Sequence, residues 1–224
     1  MPNNPKHIAF IMDGNKRWSK KNNLNQFDSY LAGANNLIKL SNHIFSKYKT
    51  SYISAFALSK SNLKRSASLV STLIKVLESF LNRDPNEFSY NFQIIFVGDK
   101  SFLKSYLIEK INNLEQLNKT SNKKLYIYIN YSGRDDIINS FNKMKLNGEK
   151  INKNKFKNNL VTNLLPDPDL LIRTGGYQRI SDFMLYQISF TELIFTKTLW
   201  PNLKIFNIDN FIKKYQKIER KFGL

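Results

Sequence analysis

Short apolar, β-branched or aromatic runs alternate along this chain with longer segments of helical period. The runs at 8–12, 52–58, 92–97, 125–130, 170–172 and 192–195 read as buried strands. Between them, Leu69, Leu73, Ile74, Leu77, Phe80 and Leu81 recur at helical spacing and predict an amphipathic helix over 67–82. A second helix is predicted over 102–117. A third follows Arg134, with Ile137, Ile138 and Phe141 on one face. A last, over 209–221, turns Phe211, Ile212, Tyr215 and Ile218 inward. Strands alternating with helices predict an α/β fold with a mainly parallel sheet. The polar stretch 145–159 reads as a loop with a short surface helix. No repeat, linker or low-complexity segment interrupts the pattern, and 224 residues are most simply one domain, 1–224.

Polar motifs mostly follow the predicted strands. Asp13 ends the first, and Ser59 and Asn62 follow the second. Gly98-Asp99, Ser132-Gly133-Arg134 and Arg173-Thr174-Gly175-Gly176 follow the next three. Open α/β sheets bind ligands at the carboxyl ends of their strands, so these residues are expected to converge. Two segments look built to hold phosphate. In Asp13-Gly14-Asn15-Lys16-Arg17-Trp18, and again in Arg173-Thr174-Gly175-Gly176-Tyr177-Gln178-Arg179-Ile180-Ser181, a strand stops at a charge, glycine follows, and arginine comes a few residues on. Glycine lets backbone N–H groups approach an anion, and arginine adds a planar fork matched to phosphate oxygens. Two such sites joined by a carboxylate suggest an enzyme handling two phosphorylated substrates and a metal.

Composition narrows the classes. Cysteine is absent, which excludes a disulfide framework and a thiolate zinc site. No apolar run approaches the roughly 20 residues of a membrane span, and the amino terminus lacks a secretory pattern, so a cytoplasmic protein is expected. The net charge of +18 is carried by 28 lysines and 7 arginines, the lysines scattered throughout. That spread reads first as a solvated surface, then as attraction for anionic substrates or a transient membrane-surface contact. Without a recognised motif it does not indicate nucleic acid.

Each candidate also has a bland reading. Asp13 could cap the next helix or hold a hard cation such as Mg²⁺; Asn15 and Arg17 beside it favour the ligand. Glu192 sits among apolar residues, where a carboxylate needs an arginine partner or a metal. The stripe of Leu73, Leu77 and Phe80 fits ordinary core better than a channel for a long apolar substrate. His7 and His43 show no carboxylate or histidine partner and read as structural.

These motifs together resemble the cis-prenyltransferases, the undecaprenyl diphosphate synthase family. The resemblance spans essentially the whole chain. Beyond the two phosphate segments it rests on Asn130-Tyr131-Ser132-Gly133-Arg134-Asp135-Asp136-Ile137, on Glu192 through Leu199-Trp200-Pro201, and on Glu219-Arg220-Lys221-Phe222-Gly223. It implies a homodimer, a six-stranded parallel sheet wrapped by helices, and a hydrophobic tunnel. It implies that Asp13, with Glu192, holds Mg²⁺, and that Gly14, Asn15 and Arg17 bind the allylic diphosphate. Arg173, Arg179 and Ser181 would bind the second diphosphate, isopentenyl or dimethylallyl. Ser59 and Asn62 would lie beside the reacting carbons, with Asn15 and Ser59 as a proton relay. Lys16, Trp18, Tyr30 and Arg65 join the substrate-binding candidates.

The departures from the family pattern are as informative. A glycine is replaced by Lys16, an arginine falls at Gln26, and a Gly-His pair at Ser29-Tyr30. Ser-x-Glu-Asn-Trp becomes Ser59-Lys60-Ser61-Asn62-Leu63, and the glutamate after the double glycine is Tyr177. The altered allylic side resembles the irregular lavandulyl-type synthases, which join two allylic units at a middle carbon. Three readings follow: a regular condensing enzyme with a short product, an irregular coupling enzyme, and a weakly catalytic prenyl-binding partner subunit.

Overall fold

The computed structural model describes residues 3–64, 66–83, 91–163 and 165–220. Six strands form one sheet: β1 (His7–Ile11), β2 (Tyr52–Ser59), β3 (Gln93–Val97), β4 (Lys124–Tyr131), β5 (Leu170–Arg173) and β6 (Glu192–Phe195). Their order is β3-β4-β2-β1-β5-β6, and every neighbouring pair is parallel. The predicted strands are all present, with ends displaced by at most one residue. Parallel strands buried on both faces read as unbroken apolar runs, which is why the sequence located them.

The helices are α1 (Asn15–Lys21), α2 (Gln26–Lys47), α3 (Lys60–Leu63), α4 (Ala67–Leu81), α5 (Ser105–Gln116), α6 (Gly133–Leu146), α7 (Lys153–Asn159) and α8 (Ile205–Gln216). The sequence pattern set no bounds on α2, although it is 22 residues long. Asn25 starts it by accepting from the Asp28 N–H at 2.9 Å. The last helix begins four residues before its expected start. There the Lys204 N–H donates to the Asn207 side chain at 2.9 Å and fixes the end. α5 starts later than expected, because Phe102 lies in the turn before it.

Alternation along the strands divides the core in two. Ile8, Phe10, Ile53, Ala55, Ile94, Phe96, Leu125, Ile127, Leu170 and Ile172 face α2, α4, α5 and α8. Ala9, Ile11, Phe56, Tyr126, Tyr128 and Leu171 face the opposite way, onto Leu165, Phe183 and Met184. On this second face, Phe56 and Phe183 stack at 4.5 Å between centroids, with Tyr128 edge-on to Phe183 at 5.1 Å. His7 is fully buried among β1 and β2. Its Nδ1 lies 2.7 Å from the Pro166 carbonyl and its Nε2 2.9 Å from Ser54 Oγ. A carbonyl only accepts, so Nδ1 carries the proton and Nε2 accepts from Ser54. Burial pushes the imidazole pKa from 6.5 down to about 4. His43 has a carboxylate partner after all: its Nε2 lies 2.6 Å from Asp209, which also takes Lys47 and Tyr48 and joins α2 to α8. Both histidines are structural, as expected.

Candidate active site

The chain leaves β1 at Ile11 and turns through Asp13 and Gly14 into α1. Gly14 has φ 117°, and a Cβ there would lie 2.9 Å from Leu199 Cα, so both conformation and space demand glycine. Thr174 Oγ1 donates to the Asp13 carbonyl at 2.7 Å, and the Trp200 N–H to the same oxygen at 3.1 Å. The Asp13 side chain does not cap α1, whose N-cap is Gly14 without a side-chain bond. Instead its carboxylate lies 2.9 Å from Arg173 Nη2 and 3.3 Å from Arg17 Nη2. One carboxylate thus joins the two phosphate segments.

Arg173 ends β5 and is buried, 3% exposed. Its Nη1 donates to Ser181 Oγ at 2.6 Å and to the Arg179 carbonyl, while Nε is buried without a partner. The double glycine does not present its N–H groups to an anion. Gly175 N–H donates to the Thr198 carbonyl and Gly176 N–H to the Thr196 carbonyl, each at 2.8 Å. The glycines serve close approach instead: a Cβ on Gly175 would fall 2.5 Å from Arg17 Nη2. Ser181 and Asp182 both take left-handed conformations, with φ 51° and 67°. Asp182 holds the loop to the start of α6, accepting from Ser132 Oγ at 2.6 Å and the Arg134 N–H at 3.0 Å. Ser132-Gly133-Arg134 therefore anchors the loop and does not line the cavity, and Asp99 does not line it either.

Beneath these charges lies a cavity of about 600 Å³. Asp13, Lys16, Arg17, Lys20, Arg173, Arg179 and Ser181 supply its polar lining. Its apolar lining comes from Leu37, Leu58, Leu73, Ile74, Leu77, Phe80, Phe96, Phe102, Ile127 and Ile129. The α4 stripe, expected to be ordinary core, lines this cavity, so Leu73, Ile74, Leu77 and Phe80 stay only half-buried. From Leu73 to Phe80 the wall runs about 10 Å along the helix. A cationic opening over an apolar interior suits an anionic head on a hydrocarbon chain.

Asn15, Gly14, Ser59, Asn62 and Tyr30 line the same space. The Asn15 side chain donates to the Met12 carbonyl at 3.1 Å, while its Oδ1 is buried without a partner. That oxygen requires Gly33 opposite, where a Cβ would approach it to 2.5 Å. Ser59 and Asn62 form a reciprocal cap on α3: Asn62 N–H to Ser59 Oγ at 3.2 Å, Ser59 N–H to Asn62 Oδ1 at 3.1 Å. Ser59 Oγ also lies 2.8 Å from Ser61 Oγ. Lys20, Gly33 and Trp200 line the cavity too but were missed in the sequence. Lys20 lies one helical turn beyond Lys16 and Arg17, a spacing that could have found it.

Two expected residues are placed elsewhere. Trp18 is not in the lining; its indole N–H donates to Asn202 at 2.8 Å and ties α1 to the 3₁₀ turn Trp200–Asn202. Glu192 opens β6, level with Leu170 at the amino end of the sheet, whereas Asp13 lies at the carboxyl end. Three strand residues, about 10 Å, separate its level from that of Arg173. It is half-buried rather than buried, and within one chain it does not reach Asp13. Arg65 and the segment 221–223 lie outside the described residues.

No group of three or more acidic, histidine or cysteine side chains gathers to hold a metal among the described residues. Asp13 is the carboxylate in the lining. A single carboxylate fits Mg²⁺ where substrate phosphates complete the coordination, which is how that ion is commonly held. No helix among the described residues is long and apolar enough to cross a membrane.

The chain is similar to known proteins in sequence and in fold. The prenyltransferase family profile, described as undecaprenyl diphosphate synthase, matches residues 11–223. An isoprenyl transferase of Rickettsia typhi is 37% identical over 221 residues, covering 97% of each chain. One from Fusobacterium nucleatum is 38% identical over 224 residues, covering 99% of this chain and 96% of its own. A solved structure of lavandulyl diphosphate synthase from Lavandula x intermedia, in complex with dimethylallyl diphosphate, superposes with TM-score 0.90 at 32% identity over 99% of both chains. A probable undecaprenyl diphosphate synthase from Campylobacter jejuni superposes with TM-score 0.80 at 28% identity, over 99% of this chain and 100% of its own.

Proposed function

Because this chain belongs to the undecaprenyl diphosphate synthase family and is a cis-type prenyltransferase, we propose that it condenses an allylic prenyl diphosphate with a second C5 prenyl diphosphate to give a short product. The observation that carries this reading is the carboxylate of Asp13 between Arg17 and Arg173 at the opening of the apolar cavity. The allylic C–O bond breaks and diphosphate departs. A C–C bond forms to the alkene of the second substrate, which then loses a proton. Gly14, Lys16, Arg17 and Tyr30 hold the allylic head. Arg173, Arg179 and Ser181 hold the second. Asp13 would hold Mg²⁺ together with substrate phosphate oxygens, and the ion would supply Lewis-acid stabilisation of the departing charge. Preorganised guanidiniums stabilise that charge as it develops, and the leucine and phenylalanine walls exclude water from the cationic carbon. Ser59 and the unpartnered Asn15 oxygen offer the departing proton a route.

The whole chain acts as one domain, in the cytoplasm, as a homodimer. The edge strand β6, with Leu193 44% exposed and Phe190 just before it 60% exposed, is the face we assign to the second copy. Contact with a membrane surface is transient and serves delivery of the apolar product. Prenyl transfer from dimethylallyl, geranyl or farnesyl diphosphate to isopentenyl diphosphate, followed with and without chelator, tests the reading. Products formed only with metal and isopentenyl diphosphate support it. Full turnover in excess chelator removes the metal role, and no transfer from any donor leaves the chain as a prenyl-binding partner subunit.

A second reading is irregular coupling of two allylic diphosphates. The TM-score of 0.90 with lavandulyl diphosphate synthase favours it, as do Gln26 and Tyr30, which are neutral at family positions of positive or titratable charge. Branched product from dimethylallyl diphosphate alone distinguishes it.

A further inference from the structure

Tyr177 follows the double glycine and lines the cavity at its polar end, 46% exposed. Three guanidiniums surround its ring. The Arg179, Arg17 and Arg173 carbons lie 4.2, 5.1 and 5.7 Å from the ring centroid. Like charges this close repel, the more so at a partly desolvated opening. Asp13 offsets the repulsion for Arg17 and Arg173. It does not do so for Arg179, whose guanidinium makes no hydrogen bond or ion pair among the described residues. The tyrosine ring is the group common to all three.

We propose that Tyr177 is a positioning residue whose ring face gathers Arg17, Arg173 and Arg179 into one cationic cluster spanning both diphosphate sites. The role rests on the two-diphosphate reading above. A ring face attracts a guanidinium through its quadrupole and takes up none of its N–H donors. The donors stay free for phosphate oxygens, whose geometry they match. A carboxylate at the same place would engage those donors and cancel one charge. Because Arg17 belongs to one phosphate segment and Arg173 and Arg179 to the other, the ring couples the two sites. Loss of Tyr177 therefore affects both substrates together, unlike loss of Arg179 alone.

The test is calorimetric titration of inorganic diphosphate into the wild-type chain and into Tyr177→Phe, Tyr177→Leu and Tyr177→Ala, with KM and kcat for both substrates. Tyr177→Phe should bind within about twofold of wild type. Tyr177→Leu and Tyr177→Ala should each weaken diphosphate binding about 5- to 10-fold, as loss of contacts of this strength implies. Both KM values should rise together with kcat changed less, and melting temperatures should hold because the ring is half exposed. Leucine matching wild type overturns the proposal, since bulk alone would suffice. Phenylalanine as weak as alanine also overturns it, since the hydroxyl would be the active group. A wild-type chain that binds no diphosphate overturns the two-diphosphate reading itself, a failure visible before any variant is compared.

Discussion

The two faces of the sheet use the same strands for opposite ends. On one, Phe56, Tyr128, Tyr131 and Phe183 interlock with centroids 4.5 to 6.2 Å apart, and their rings fill the space between them, with Phe56 also bordering the cavity. On the other, α2 and α4 stand against Phe96, Ile127 and Ile129 without filling the space, and the cavity of about 600 Å³ remains. Alternation sends one residue to each face in turn, so a single apolar run builds both the filled core and the cavity wall. The filled face holds the loop that carries Ser181, through Phe183 and Asp182. Rigidity on one side thus positions the charges at the opening of the other.

The largest effect is expected at the rim where the faces meet. Asp13→Asn keeps the shape and an acceptor for Arg173 but removes the charge. Turnover should fall by about two to three orders of magnitude, while circular dichroism stays native. Near-normal turnover would separate Asp13 from the chemistry.

Next comes a matched pair across the sheet. Phe183→Ala should lower stability by about 4 kcal/mol in denaturant titration and leave the product distribution unchanged. Leu77→Ala, on a side chain that already borders open space, should destabilise less and lengthen the products. Equal stability losses with unchanged products in both would erase the distinction between the faces.

The filled face should also show in acid. The folded His7 pKa, about 4, lies below the unfolded value of 6.5. The unfolded chain binds the proton first, so this stability is fully present above 6.5 and is lost as pH falls toward 4. The window contributes about 3 kcal/mol at most. His7→Gln should flatten that slope in pH-dependent unfolding; an unchanged slope would assign it elsewhere.

The smallest change is expected on the allylic side. Tyr30 lines the cavity and Gln26 opens α2 outside that lining. Gln26→Arg with Tyr30→His returns the arginine and histidine of the family pattern and should lower the KM for the allylic donor severalfold, by up to about 1 kcal/mol. No change in that KM would mark both positions as neutral to binding.

Much of this was legible because buried parallel strands are continuous apolar runs, and Asp13, Ser59 and Arg173 sit at their ends. What misled was position along the strand. Arg173 closes its strand and Asp13 follows the end of its own, whereas Glu192 opens its strand and so lies at the opposite end of the sheet. Trp18 carried no such signal, since only the docking of α1 on Asn202 decides which way its ring turns. The glycine N–H groups were read as anion donors, but the chain returning at Thr196 and Thr198 satisfies them. The α4 stripe shows apolar period whether it meets core or a cavity, and only the distance to the facing sheet tells them apart.

The most direct measurement is the chain length of products made by the wild-type enzyme from farnesyl and isopentenyl diphosphates, read by mass spectrometry. An open face about 10 Å long along α4 and a neutral Gln26 and Tyr30 predict products of one or very few condensations. Long polyprenyl diphosphates under the same conditions would contradict the account, because neither the cavity nor its weakened allylic grip could then set the product.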